Sequence, residues 1–120
     1  MDRIKIARKL LRLADVVLHP GPFDLRVKGK EITVERTDTL KGRDVKEVKR
    51  LQRQAIKIVD KTSKKISDAL NREGVDNEIE RRYHYQDYAS DKMYYRRVVR
   101  VKRTDSTERE LANLAMRATT

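Results

Sequence analysis

The longest pattern of apolar and polar positions in the chain runs from Asp44 to Gly74 and predicts one long α-helix. Asp44 followed by Glu47 has the spacing of a capping box, and Gly74 suits the left-handed residue that follows a helix end. We predict a helix over residues 44–73, roughly 43 Å long at 1.5 Å per residue. Its seam, at alternating steps of three and four, is Val45, Val48, Gln52, Ala55, Val59, Thr62, Ile66 and Ala69, with Leu51, Ile58 and Leu70 beside it.

Residues 23–36 alternate between apolar and polar positions and predict a β-hairpin. Gly29 and Lys30 suit a two-residue type II′ turn, because that turn needs glycine at its first central position. The turn places the apolar side chains of both strands on one face. The predicted pairs are Lys28 with Glu31, Val27 with Ile32 and Leu25 with Val34. Residues 37–43 are predicted to be a polar connection.

Residues 77–103 alternate in a second stretch and predict another hairpin. An even-numbered loop would bring Arg81 opposite Arg100, whereas an odd-numbered loop around residues 90–92 gathers the apolar residues on one face. We therefore predict the odd-numbered loop. Its pairs are Tyr85 with Arg97, Tyr83 with Val99 and Arg81 with Val101, and its apolar face holds Tyr83, Tyr85, Tyr95, Val99 and Val101.

Two further helices are predicted at the ends of the chain. Asp2 can cap a helix within residues 1–18, which stops before the Pro20-Gly21-Pro22 segment. Residues 105–118 form a short helix, for which Asp105/Glu108 and Thr107/Glu110 both have capping-box spacing. The predicted fold class is α+β in the order α-ββ-α-ββ-α, a single domain over residues 1–120. An antiparallel sheet of two hairpins packs on the long central helix.

The composition is strongly basic, which bears on the type of partner. Thirty Lys and Arg against nineteen Asp and Glu give a net charge of +11, which favours a polyanionic partner. The chain has no cysteine, so thiolate metal sites and disulfides are excluded. Its longest purely apolar run, residues 16–18, is too short to span a membrane, and no classical signal peptide is evident. We expect a cytoplasmic or virion-associated protein.

The first candidate binding surface is the polar back of the long helix, where bases follow helical steps with Asp60 as the lone acid between Glu47 and Asp68. A rigid row of cations can bind phosphates and release their counterions. The alternative interpretation is an ordinary solvated helix face. The candidate nucleic-acid-binding residues here are Lys46, Arg50, Arg53, Lys57, Lys61 and Lys64, with Lys49 and Lys65 beside them.

The second candidate surface is the second hairpin, which mixes arginines with tyrosines. Such a face suits single-stranded nucleic acid, because bases stack on rings and phosphates bind guanidinium groups. The alternative is a structural hairpin whose tyrosines are core and whose arginines keep an edge strand soluble. The candidate residues here are Arg82, Tyr94, Arg96, Arg100 and Lys102, predicted to share a face with His84 and Gln86.

The sequence contains no recognisable catalytic or metal-binding constellation. In the predicted hairpin, alternation puts His84 and Asp87 on opposite faces, which removes the one imaginable acid–base pair. The glycines are isolated, so no phosphate-cradling loop is present. We therefore predict no enzyme, no cofactor, no metal and no small-molecule substrate.

Two resemblances bear on function. The predicted element order is similar to that of the homing-endonuclease fold, whose defining helix ends in a glycine-rich segment with a metal-binding acid. The segment LLRLADVVLHPG has Asp15 but lacks that glycine pattern, so no catalytic residue is carried over. The basic, leucine-rich opening MDRIKIARKLLRLADVV resembles those of many small tailed-phage proteins.

The function predicted from these features is a small, basic, non-enzymatic nucleic-acid-binding protein of limited sequence specificity. The alternative is a structural or assembly subunit of a larger complex, such as a tailed-phage virion protein. Its basic surface would then contact acidic protein neighbours or packaged genome, and homo-oligomers become a further expectation.

Overall fold

A computed structural model describes residues 16–102 and 104–119 of the chain. Its described part has two helices and a six-stranded antiparallel sheet, which confirms the α+β class. A long helix packs across one face of the sheet, as predicted. The elements are β1 Val16–Leu18, β2 Asp24–Lys28, β3 Glu31–Thr39, α1 Val45–Arg72, β4 Asn77–Ile79, β5 Tyr83–Asp87, β6 Lys92–Val101 and α2 Glu108–Thr119.

The sheet order is β1-β2-β3-β6-β4, and β5 also pairs with β6. Both helices lie on the same side, because their buried residues share one core with the inward side chains of the sheet. That core includes Leu25, Val34, Val59 and Leu111, all at most 1% exposed. The other side of the sheet is covered by no helix within the described residues, and we call it the open face.

The predicted first helix is wrong over its last three residues. Residues 16–18 form β1, which pairs antiparallel with residues 25–27 of β2. Two valines and a leucine suit a strand as well as a helix, and the free edge of β2 offers backbone partners that decide between the two. The rest of the predicted helix, residues 1–15, lies outside the described residues.

The first hairpin has the predicted register. Val27 pairs with Ile32 and Lys28 with Glu31, and Gly29 has φ 59°, as the first residue of a type II′ turn requires. The second strand is longer than predicted, because residues 37–39 continue β3 and pair with residues 92–94 of β6. The prediction of a polar connection was therefore wrong for these three residues.

Helix α1 begins and ends as its sequence predicts. The Asp44 side chain accepts a hydrogen bond from the Glu47 N–H at 2.8 Å. At the other end the Val75 N–H donates to the Leu70 carbonyl at 2.8 Å and Gly74 has φ 74°, which is a Schellman motif. The buried face differs in detail from the predicted seam, since Val45 is 72% exposed. The buried residues are Leu51, Ala55, Val59, Thr62, Ser63, Ile66, Ser67, Ala69 and Leu70.

The second hairpin has a different register from the one predicted. Tyr83 pairs with Arg96 and Tyr85 with Tyr94, across a loop of residues 88–91. The predicted odd-numbered loop is therefore wrong. Asp91, at the end of this loop, has φ 53°, and Asp tolerates this left-handed conformation better than most residues.

A β-bulge explains why the face assignment failed. Ile79 pairs with Val99 in β4, while Tyr83 pairs with Arg96 in β5, so residues 80–82 face only residues 97 and 98. One extra residue inverts the alternation of every side chain that follows it. Val99 and its apolar neighbours on β6 therefore face α1, whereas Tyr83 points to the open face.

The C-terminal helix α2 is capped by Thr107 rather than Asp105 and begins at Glu108. The Thr107 hydroxyl accepts a hydrogen bond from the Glu110 N–H and donates one to the Glu110 side chain, both at 3.2 Å. Of the two predicted caps, the structure thus uses the second. Leu111 and Ala115 are buried against α1 and the sheet.

Candidate nucleic-acid interface

The outward face of α1 carries a row of exposed bases, which we call the basic stripe. At 100° per residue, Lys57 lies about 180° around the helix from the buried Ile66, so the row points directly away from the sheet. Its members are Lys46, Lys49, Arg50, Arg53, Lys57, Lys61, Lys64 and Lys65, all exposed. The six bases predicted on this helix are therefore brought together on one surface.

The bases of the stripe are not neutralised within the described part of the chain. None of them forms an ion pair or a hydrogen bond with another described residue. At the N-terminal end Glu47 lies 3.7 Å from Arg43, and near the C-terminal end Asp68 is exposed. Between these two acids the stripe keeps its full positive charge.

Asp60, the acid in the middle of the helix, is directed to the sheet. Arg82 Nη1 donates to one of its oxygens at 2.8 Å and Arg97 Nη1 to the other at 3.0 Å. Arg97 also donates through Nε to the Glu80 carbonyl at 2.9 Å, so the bulge is tied to the same cluster. Two guanidinium groups thus neutralise the Asp60 carboxylate. Asp60 is therefore not available to offset the positive charge of the lysines in the basic stripe.

The hairpin residues predicted to share one face are divided between two. Arg82 lies on the helix side, where it is paired with Asp60, while Arg96 and Arg100 lie on the open face. Arg100 contacts Glu31 at 2.9 Å and Glu80 at 2.6 Å. The predicted common face is therefore wrong, because the bulge inverts the register between β4 and β5.

Three further predicted hairpin residues have distinct surroundings. Lys102 follows β6 and lies 4.0 Å from Asp76. Tyr94 lies on the open face and stacks on Tyr85. His84, predicted to share their face, lies on the opposite side of the sheet and stacks on Tyr95, with ring centroids 5.9 Å apart. Arg96 and Arg100 do not merge with the basic stripe, because α1 and the open face are on opposite sides of the sheet. Arg82 lies on the helix side but is paired with Asp60.

The open face is neutral overall. By strand alternation it holds five bases and five acids, and neighbouring strands set opposite signs side by side, as in Glu35 and Arg96. The net positive charge of the described residues therefore lies on other surfaces. The bases are Arg26, Lys28, Lys92, Arg96 and Arg100, and the acids are Asp24, Glu31, Glu35, Glu78 and Asp87.

A cluster of tyrosines on the open face was not anticipated from the sequence. The rings of Tyr85 and Tyr94 stack at 4.8 Å with an interplanar angle of 11°, and Tyr83 lies 5.8 Å from Tyr85. The Arg96 guanidinium carbon sits 4.7 Å from the Tyr83 ring centroid. The concentration of tyrosines in residues 83–95 was the available signal, and the register error assigned two of them to the core.

The environment of these rings affects their ionisation. Partial desolvation, followed by the nearby Tyr94 and Asp87, raises the pKa of Tyr85 above 10.0. Beside it, the hydrogen bond from the Ser90 hydroxyl lowers the pKa of Asp87. Both shifts favour a neutral Tyr85 phenol and an ionised Asp87 carboxylate at neutral pH.

A shallow groove on the open face lies where the bulge meets the cluster. It is lined by Glu31, Thr33, Glu80, Arg81, Tyr83, Arg96 and Val98. Its acids and bases balance, so it has no preference for an anion. Across residues 16–102 and 104–119, no group of three or more acidic or histidine side chains is arranged to hold a metal ion.

Comparison with known protein families, with curated proteins and with solved structures found no match for this chain. Neither of the two described helices has the length and apolar character that crossing a lipid bilayer requires.

Proposed function

We propose that this protein binds the phosphate backbone of nucleic acids through the basic stripe on α1, with limited sequence specificity. The observation that carries the proposal is the row of eight exposed bases without an ion-pair partner among the described residues. Surface lysines of a folded domain are commonly offset by nearby acids, whereas here Asp60 is directed to Arg82 and Arg97.

The spacing of the stripe suits a polyanion. Successive bases rise about 4.5–6 Å along the helix axis, so several phosphates of one strand can be contacted together. Each contact releases condensed counterions, which makes binding strong at low salt and steeply salt-dependent. Most of the stripe is lysine, a flexible point charge without the planar donor pattern that reads a base edge. Affinity without sequence preference follows.

The hairpin contributes little to this proposal. Arg82 and Arg100 are occupied by acids within the chain, and the open face around Arg96 is neutral. Phosphates gain no net attraction there. We therefore restrict the proposed interface to Lys46, Arg50, Arg53, Lys57, Lys61 and Lys64, with the adjacent Lys49 and Lys65.

The test is a titration of a labelled duplex and a labelled single strand, followed by fluorescence anisotropy at several salt concentrations. Arg53→Glu is compared with Arg109→Glu, which makes the same charge change at an exposed position on α2. We expect Arg53→Glu to weaken binding several-fold and the double variant Arg53→Glu/Lys57→Glu about ten-fold or more, while Arg109→Glu has a much smaller effect.

Two results would contradict the proposal. Absence of binding to both probes at about 50 mM salt would rule out nucleic-acid binding by this protein. Equal losses in Arg53→Glu and Arg109→Glu indicate a response to total charge rather than to the stripe.

The alternative function, a structural or assembly subunit, is favoured by a different observation. Three tyrosines and an arginine form an exposed cluster on a neutral sheet face. Such surfaces are typical of protein–protein contacts.

A further inference from the structure

We infer that the open face is a self-association surface, on which two copies of this chain stack sheet to sheet with Tyr83, Tyr85 and Tyr94 inside the contact. This goes beyond the proposed function, because it concerns the side of the molecule opposite the basic stripe.

The tyrosine cluster has the character of an interface core. Tyr83 is 50% exposed and Tyr85 47%, which is large for aromatic rings outside a loop. The rings are already packed on one another and on Arg96, so little side-chain freedom remains to be lost on binding. Tyrosine and arginine are also the residues most enriched among those that dominate binding energy.

The charges of the open face identify the occupant as a second copy. In a two-fold contact each residue meets the same surface of its partner, so a self-complementary face needs both signs in balance. The open face has five bases and five acids, whereas the whole chain has a charge of +11. A strongly acidic partner or a nucleic acid finds no net attraction on this face.

The position of the basic stripe removes the main obstacle to association. Two chains of charge +11 repel each other most where their bases approach. Stacking the open faces puts both α1 helices on the outside, with their axes on the order of 30 Å apart for layers about 10 Å thick. That separation is well beyond the Debye length of about 10 Å at 0.1 M salt.

The area of the face is sufficient. The five strand positions of the sheet span roughly 24 Å at about 4.8 Å each, and β3 and β6 are about 30 Å long. Because the other strands are shorter, the footprint is on the order of 550 Å², which approaches the ~800 Å² per partner of a standard interface. The tyrosines lie on β5 and β6 at one side of this footprint, and the charged pairs on β2 and β3 lie towards the other side.

The test is sedimentation equilibrium on protein free of nucleic acid, from about 10 to 200 µM in roughly 0.5 M salt, where charge contacts are screened. We expect the wild type to populate a dimer. Tyr85→Arg places a new charge inside the contact, on the tyrosine cluster, and should weaken the dimer at least ten-fold. Tyr88→Arg makes the same change at an 83% exposed loop position and should leave the dimer intact.

Three results would overturn the inference: a wild type that stays monomeric over the whole range, a Tyr85→Arg variant that associates like the wild type, and equal losses in both variants. Unchanged far-UV circular dichroism of the variants shows that their folds are intact. The outcome is separable from nucleic-acid binding, because Arg53→Glu is expected to dimerise normally.

Discussion

Arg82 belongs to the bulge and lies on the helix side of the sheet, where its Nη1 is 2.8 Å from Asp60 Oδ2 in the middle of α1. This contact, together with the one from Arg97, withdraws the central acid of the helix from the basic stripe. It also ties the helix to the point where the sheet changes register. One carboxylate thus serves the packing of the fold and leaves the outer charge of the helix uncompensated.

The first prediction concerns this cluster. Asp60→Asn removes the charge that balances two guanidinium groups, each about 30% exposed or less. We expect a loss of roughly 1–2 kcal/mol in the free energy of unfolding, measured by urea denaturation. Asp68→Asn is the control, because Asp68 is exposed on the same helix, and it should change stability by less than about 0.5 kcal/mol. A similar loss in both variants would show that the cluster is not a special contact.

The second prediction concerns the salt dependence of binding. If about six bases of the stripe contact duplex phosphates, the slope of log K against log salt is roughly −5. Lys57→Gln should make that slope shallower by about 1. Lys102→Gln, at a base that lies 4.0 Å from Asp76, should leave the slope unchanged. An equal change in both slopes would place the hairpin in the interface.

The third prediction concerns the end of α1. Gly74 has φ 74° and open space where a Cβ would be. Gly74→Ala therefore meets no clash but places alanine in the left-handed region, at a cost of about 1 kcal/mol in unfolding free energy. Gly21→Ala is the matched change at a glycine that does not have positive φ, and it should be close to neutral. The two variants are compared by thermal and urea unfolding.

The fourth prediction concerns alkaline pH. Burial, and then the nearby Asp38, raises the pKa of the Tyr95 hydroxyl above 10.0. The folded state therefore holds this proton more tightly than the unfolded state. The resulting contribution to the free energy of unfolding is complete below pH 10 and is lost as the pH rises through the folded-state pKa. Tyr95→Phe should lose less stability than the wild type between pH 9 and pH 11.

The same pair of proteins at pH 7 provides the control for Tyr95, because there the phenol is neutral in both states. The difference in unfolding free energy at pH 7 measures the lost contact of the hydroxyl with Met93 Sδ, at 3.5 Å. An alkaline loss of equal size in the two proteins would contradict the assigned cause.

Several features of the fold are set by residues that are close together in the sequence, and these could be predicted without the structure. The start of α1 depends on Asp44 and Glu47, three positions apart, and its end on the backbone freedom of Gly74. The register of the first hairpin depends on a turn of two residues. The basic stripe follows from helical periodicity alone, since one helix face was apolar and the other was not.

Other features depend on contacts between residues far apart in the sequence, and these became known only from the fold. Whether residues 16–18 form a helix or a strand is settled by the free edge of β2. The face on which Tyr83 lies depends on one extra residue at the bulge, which is held by Arg97 and by the pairing of β6 with β3. A parity change of this kind leaves no mark in the local pattern of apolar residues, because both registers alternate equally well. The tyrosine cluster follows from this register. The contacts of Asp60 with Arg82 and Arg97 join residues far apart in the sequence, so they too became visible only in three dimensions.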